Sequence, residues 1–215
     1  MSTLTWRFGL IADDIIAAQA ELNSLDAVAG DGDLGLTMTT AAEAVKALLP
    51  ELEGMELDAA LKRCGAELAR KAPSTSGTLF GTALLRAGAA AGHESFSTEA
   101  PVAKVARLVA AAAEGIQQRG KAKPGDKTVL DALVPARDAL VRASGEGLDL
   151  QSALQQAAEA ARAGAEETRG LQPRVGRASW LADRSEGHED GGAHLVALVF
   201  ASATRSLVAD PPSSA

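Results

Sequence analysis

Three observations predict an all-α protein. Aromatic residues are only 3% of the 215 positions, whereas hydrophobic residues reach 47%, much of it Ala and Leu; such a composition suits closely packed helices better than sheets rich in Val, Ile and Tyr. Apolar residues recur in steps of three and four along most of the chain, the spacing of a helix face. No segment reads convincingly as a strand. At this length the chain can bury a full core, and a single domain is expected over residues 1–209, with Asp210-Pro-Pro-Ser-Ser-Ala215 as a frayed tail.

The elements follow in order. Phe8, Ile11, Ile15, Ala18 and Leu22 mark a first amphipathic helix ending near Asn23. A second begins near Leu36 and carries Met38, Ala41, Val45 and Leu48 until Pro50 stops it; a third runs through Leu57, Leu61, Cys64 and Leu68. The fourth, from about Gly77 to Ala91, is rich in Gly and Ala, so packing must supply what propensity withholds. Pro101 opens a fifth, with Val102, Val105, Val109 and Ile116 inward. Asp126 is the expected N-cap of a sixth, bent at Pro135, and Asp149 that of a seventh reaching about Arg169. Val196, Val199, Phe200, Ala203 and Leu207 define an eighth. Two connections, Gly120–Lys127 and Gly170–Glu189, are rich in glycine and charge, and the second is too long for a bundle turn, which marks it as functional.

Charge and cysteine content exclude several classes. A net charge of −7 and a pI near 5.0 leave no basic stripe for nucleic acid. The single cysteine, Cys64, is in register with Leu57, Leu61 and Leu68 and is expected to pack as a small apolar residue. The start, Met1-Ser-Thr-Leu-Thr-Trp6, has no basic segment or long apolar run, so the expectation is a cytoplasmic protein with no membrane association.

Asp26, Asp31 and Asp33 lie in one stretch punctuated by Gly30, Gly32 and Gly35. Carboxylates this close repel one another unless a cation or donors neutralise them. With only oxygen ligands and no His or Cys nearby, a hard cation, Mg²⁺ or Ca²⁺, is favoured over Zn²⁺. An EF-hand frame begun at Asp31 fails, because it puts Gly35 at a ligand position and Ala42 where the bidentate Glu belongs. Mg²⁺ shared with phosphate fits better.

Three further stretches suit phosphate. Pro73 to Gly81 places hydroxyls and glycines at a helix start, where N–H groups and the positive dipole end attract anions. Gly120 to Thr128 resembles a Walker A loop, but Asp126 interrupts the Gly-Lys-Thr run and Gln117-Gln118-Arg119 is no buried strand. In Gly176-Arg177-Ala178-Ser179 and Gly187 to Gly192, Arg177 can clamp a phosphate with its planar fork. His188 and His194 are wrongly spaced for zinc.

Together, Leu25 to Gly35, Ser76 to Gly81, Gly125 to Thr128 with Asp131, and Gly176 to Ser179 with Gly187, His188 and Asp190 resemble one family over nearly the whole chain, in order. It is the nucleotide-binding L subunit of bacterial dihydroxyacetone kinase, related to the C-terminal domain of single-chain dihydroxyacetone kinases. The resemblance implies an eight-helix antiparallel barrel with ADP or ATP held at one end through Mg²⁺. Asp26, Asp31 and Asp33 would hold the metal, and Leu34, Gly35, Leu36 and Thr37 would line the nucleotide with Thr75 and Ser76. Gly120, Val129, Arg177, Asp190, Gly191 and Gly192 would complete the pocket. The implied activity passes the nucleotide's γ-phosphoryl group to dihydroxyacetone, or a related ketose or sugar alcohol, on a K-type partner subunit. An M-type subunit rephosphorylates ADP in one branch of the family. Docking on a transcription regulator as a nucleotide sensor, and a homodimer, complete the implied partners. The chain departs from the family at Leu34 (usually His), Thr37 (Asn), Pro73-Ser74 (two glycines), Val129 (Met) and Gly191 (Pro); these positions bear on the base contact and the substrate class, not on the metal ligands.

Overall fold

Each long helix packs against the next until the last returns to the first. In the computed structural model, which describes residues 2–93 and 99–209, α1 (Thr3–Ala17) continues through a break at Ala18 into α2 (Gln19–Ala29). Then come α3 (Leu34–Leu52), α4 (Leu57–Lys71), α5 (Thr75–Ala91), α6 (Pro101–Gly120), α7 (Leu130–Gly145) and α8 (Leu150–Glu167). Two short 3₁₀ turns (Thr168–Gly170 and Arg177–Leu181) and the single-turn α9 (Ala182–Ser185) lead to α10 (Gly191–Val208). No strand occurs among the described residues. Contacts run α1–α3–α4–α5–α6–α7–α8–α10 and back to α1, so eight staves close a barrel. The shorter α2 rests on α3 and α10. The expected all-α eight-helix barrel is therefore what forms.

Alanine lets the staves approach closely. Ala132, Ala136, Ala139 and Ala143 of α7, and Ala153, Ala157, Ala161 and Ala165 of α8, are all buried in the main core cluster. Gly164 takes this to its limit: a Cβ there would sit 2.1 Å from the Asp131 carbonyl oxygen at the start of α7. At the seam between first and last staves, Asp14 accepts hydrogen bonds from Ser202 and from Arg205, the latter at 2.8 Å. Small side chains also leave an apolar cavity of about 340 Å³ among Phe8, Met38, Cys64, Phe80 and Phe200. Cys64 is buried as expected, and burial pushes its thiol up to about 11, so it stays protonated. Among the described helices α10 alone, with a mean hydropathy of 1.3, is long and apolar enough to cross a membrane; its packing against α1, α7 and α8 makes it a stave.

Three boundaries differ from the expectations. The first helix does not end near Asn23 but breaks at Ala18 and then runs to Ala29, so Asp26 stands on helix, not loop. The apolar spacing stops near Asn23, but that residue lies within α2, and its Oδ1 accepts from Leu36 N–H of α3 at 3.1 Å. Pro50 does not stop this helix: α3 starts at Leu34 and runs to Leu52, with Pro50 inside its last turn. Asp126 does not cap α7, whose N-cap is Val129; its Oδ2 accepts from Lys123 N–H at 2.9 Å within the preceding turn. Asp149 does cap α8, accepting from Ser152 N–H at 2.9 Å. Residues 210–215, the expected frayed tail, lie outside the described residues.

Gly164→Ala forces a methyl into backbone and is expected to destabilise the chain by about 1–3 kcal/mol through overpacking. Urea unfolding of the variant checks this; an unchanged midpoint would show that α7 and α8 can separate freely.

Candidate functional site

The aspartate cluster is built by two helix ends meeting. Asp26, on the last turn of α2, accepts through Oδ2 from the N–H groups of Asp33 (3.1 Å) and Leu34 (3.4 Å), which fastens the start of α3 to the end of α2. Glycine is required on both sides. A Cβ at Gly30 would lie 2.3 Å from Asp26 Oδ1, one at Gly35 would lie 2.0 Å from the Gln19 carbonyl oxygen, and Gly32 turns the chain at φ +74°. The result brings one carboxylate oxygen each from Asp26, Asp31 and Asp33 within 4.8 Å of one another. Asp26 is partly buried and the other two are exposed. Three convergent oxygen donors fit a hard divalent cation.

This cluster forms one wall of a cavity of about 930 Å³. Asp26, Asp31, Asp33, Leu34, Thr75, Ser76, Gly120, Val129, Asp190, Gly191 and Gly192 all line it, although they come from five separate stretches of chain. Residues from the amino ends of α3, α5, α7 and α10 line it, so the cavity gathers four helix starts along with the three carboxylates. At α5, Ser74 Oγ accepts from Gly77 N–H at 3.0 Å, and a Cβ on Gly77 would strike the Ala72 carbonyl oxygen at 1.9 Å. At α10, Asp190 Oδ1 accepts from Ala193 N–H at 2.8 Å, while Asp190 N–H donates to the buried Thr168 hydroxyl at 2.9 Å.

Other expected residues stand differently. Gly35, Leu36 and Thr37 are on the first turn of α3 but are not among the residues facing the cavity: Gly35 rests against α2, Leu36 is largely exposed, and Thr37 N–H bonds to the Asp33 carbonyl at 2.9 Å. Arg177 opens a 3₁₀ turn between the lining residues Gly176 and Ala178; its side chain lies outside those described. Two of the family departures touch. A Cβ at Gly191 would meet Leu34 Cδ2 at 2.9 Å, so the bulk of Leu34 goes with the absence of a side chain at 191. Residues to which the sequence assigned no role at the site also line the cavity, notably Lys127, Thr78, Leu79, Ile116 and Val175. Their only sequence signal was membership of the same Gly-rich turns or of a helix face.

Beneath the start of α10, the carboxylate of Glu189 is buried and meets Arg162 (3.0 Å), Arg169 (3.2 Å) and His194 (2.9 Å), which anchors the turn that presents Asp190. Burial pushes the Asp190 carboxyl up to about 6; the nearby Asp131 adds to this, while Ala193 N–H and Lys127 oppose it. Because the folded value exceeds the ordinary 3.8, the stability linked to this group is full below that pH and is lost as pH rises through about 6. Asp190→Asn keeps a capping oxygen without the charge, so its melting temperature should gain on the native chain as pH rises across that window. Parallel melting profiles would contradict this.

Residues 28–205 match the family described as the DAK2 domain. The chain is 37% identical over 188 residues to the ADP-binding subunit DhaL of the PEP-dependent dihydroxyacetone kinase of Escherichia coli, covering 87% of this chain and 88% of that one. It is also 37% identical over 204 residues to the L-erythrulose kinase of Pectobacterium atrosepticum, covering 94% of this chain but only 34% of that enzyme. The crystal structure of the dihydroxyacetone kinase from C. freundii in complex with AMP-PNP and Mg²⁺ superposes with a TM-score of 0.73 at 28% identity, over 96% of this chain and 34% of that chain. The chain thus spans about a third of the longer enzymes and most of the bacterial subunit. Barrel, converging aspartates and sequence agree: the chain belongs to the DAK2 domain family.

Proposed function

We propose that the chain is the Mg²⁺-nucleotide component of a ketose kinase. It passes the γ-phosphoryl group of ATP, or of ADP rephosphorylated in place by an M-type donor, to dihydroxyacetone or a related ketose held on a K-type partner. The observation that carries this reading is one cavity lined both by three clustered carboxylates and by the amino ends of four helices. Its volume falls within the usual range for small-molecule sites. The names of the relatives support the same assignment: one is an ADP-binding subunit and another a kinase of a four-carbon ketose.

Asp26, Asp31 and Asp33 are the residues that would hold Mg²⁺. Bound there, the ion would draw charge from phosphoryl oxygens and orient them for transfer. The chain's own groups do the rest. The amino ends of α5 and α10 offer dipoles and main-chain N–H groups to the polyphosphate. Leu79, Ile116 and Val129 give the cavity apolar walls suited to a base. Phosphoryl transfer depends on positioning and charge neutralisation more than on a covalent catalyst, so no nucleophilic side chain is needed. The acceptor must then be brought to the open side of the cavity by another protein surface. Its identity, three-carbon or four-carbon, is a property of that partner, and the erythrulose kinase relative favours testing both.

Calorimetry should find ADP binding that requires Mg²⁺, weakened roughly a hundredfold or more by Asp31→Ala or Asp33→Ala; unchanged affinity in both variants removes the metal assignment. With a K-type subunit and dihydroxyacetone or erythrulose, the chain should yield the ketose phosphate, and alone it should yield none. Absence of product with both ATP and a phosphorylated M-type donor would overturn the kinase reading.

A further inference from the structure

The two unusual connections, Gly120–Lys127 and Gly170–Glu189, are joined by one side chain. Lys127 is only 5% exposed, and its ammonium donates to the carbonyls of Leu171 (3.1 Å) and Ser185 (2.6 Å). Those acceptors stand near the two ends of the long connection. The neighbouring backbone adds a third tie, Arg174 N–H to the Asp126 carbonyl at 3.1 Å, and Gly187 N–H to the Arg169 carbonyl at 3.1 Å closes the base of the loop. Between the ties lie Pro173, Val175, Gly176 and Ala178, which form one wall of the cavity.

The turn that carries Lys127 is itself fixed. Asp131 accepts from Gly125 N–H at 2.5 Å and Thr128 N–H at 2.6 Å, and Lys127 adopts the left-handed region at φ 59°, which a side chain with β-carbon rarely does. Backbone held in that region for a lysine needs a compensating interaction, and the two carbonyls supply it. Burial lowers the affinity of the amine for its proton, while Asp190 and Glu186 raise it. An ammonium has three donors, and two are spent on main chain, so the residue is built first as a cross-link.

We propose that Lys127 is a positioning residue for nucleotide binding: it pins both ends of the 171–185 strap so that the strap forms a wall of the cavity. This rests on the nucleotide reading above. A lysine that merely touched phosphate would change affinity while leaving the strap ordered in the nucleotide-free chain, so the two roles separate experimentally. Trp180 sits on the strap and is 85% exposed, whereas the only other tryptophan, Trp6, is buried in α1. In a Trp6→Phe background, fluorescence anisotropy therefore reports the strap alone.

Lys127→Met should lower the anisotropy of Trp180 without nucleotide and weaken Mg²⁺-ADP binding about tenfold or more, with helical circular dichroism unchanged. Weaker binding with unchanged anisotropy would make Lys127 a direct contact and overturn the proposal, as would no change in either. If Lys127→Met does not fold, replacing residues 174–184 with a short Gly-Ser linker tests the same wall; Mg²⁺-ADP affinity equal to that of the native chain would overturn it. A native chain that fails to bind Mg²⁺-ADP sinks the nucleotide reading, while a fall in anisotropy on Lys127→Met would still establish the pin.

Discussion

The carboxylate of Asp26 accepts the first N–H groups of α3, and from this contact the site takes its shape. It satisfies donors that a helix start leaves without intrahelical partners. It also fixes the distance between α2 and α3, which sets Asp31 and Asp33 beside Asp26. Gly30 and Gly35 are necessary because the approach leaves no room for a β-carbon. The cost of the arrangement is three like charges in a small space, and in water at neutral pH a bound cation is the natural remedy.

The barrel makes that remedy useful. Alanine faces on α7 and α8 bring staves close enough that their ends are set by backbone contact, not by long adaptable side chains. The cavity is walled by four helix starts that the barrel holds in place, and dipoles held in this way would stabilise phosphate charge without having to reorganise. The opposite side of the cavity is formed by connections, which need their own restraints. Glu189 with its arginines and His194 secures the turn before α10, and the Lys127 cross-link secures the longer loop.

Much of this was legible in the sequence. Helix periodicity located all eight staves, and the aspartate stretch pointed to a hard cation before any fold was known. What was not legible came from contacts distant in sequence. The apolar spacing stops near Asn23, yet α2 continues past it, and its side chain is engaged by α3. Asp126 reads as a cap because caps are often aspartate, but Asp131 already organises the turn and the helix begins later. Leu34 and Gly191 were separate departures from the family pattern; only the fold shows them in contact. Lys127 lay within a stretch that pointed to phosphate, but its role as a cross-link was not legible, since its partners are main-chain carbonyls that any sequence provides.

The central claim is that Asp26, Asp31 and Asp33 hold a divalent cation against a nucleotide in this cavity. Crystals grown with Mn²⁺ and ADP, with anomalous scattering recorded from the manganese, test it most directly. The account predicts an anomalous peak at coordinating distance, roughly 2.0–2.3 Å, from the carboxylates of this cluster, with nucleotide phosphate on its other side. ADP bound in the cavity with manganese elsewhere, or a peak that touches none of the three aspartates, would contradict it.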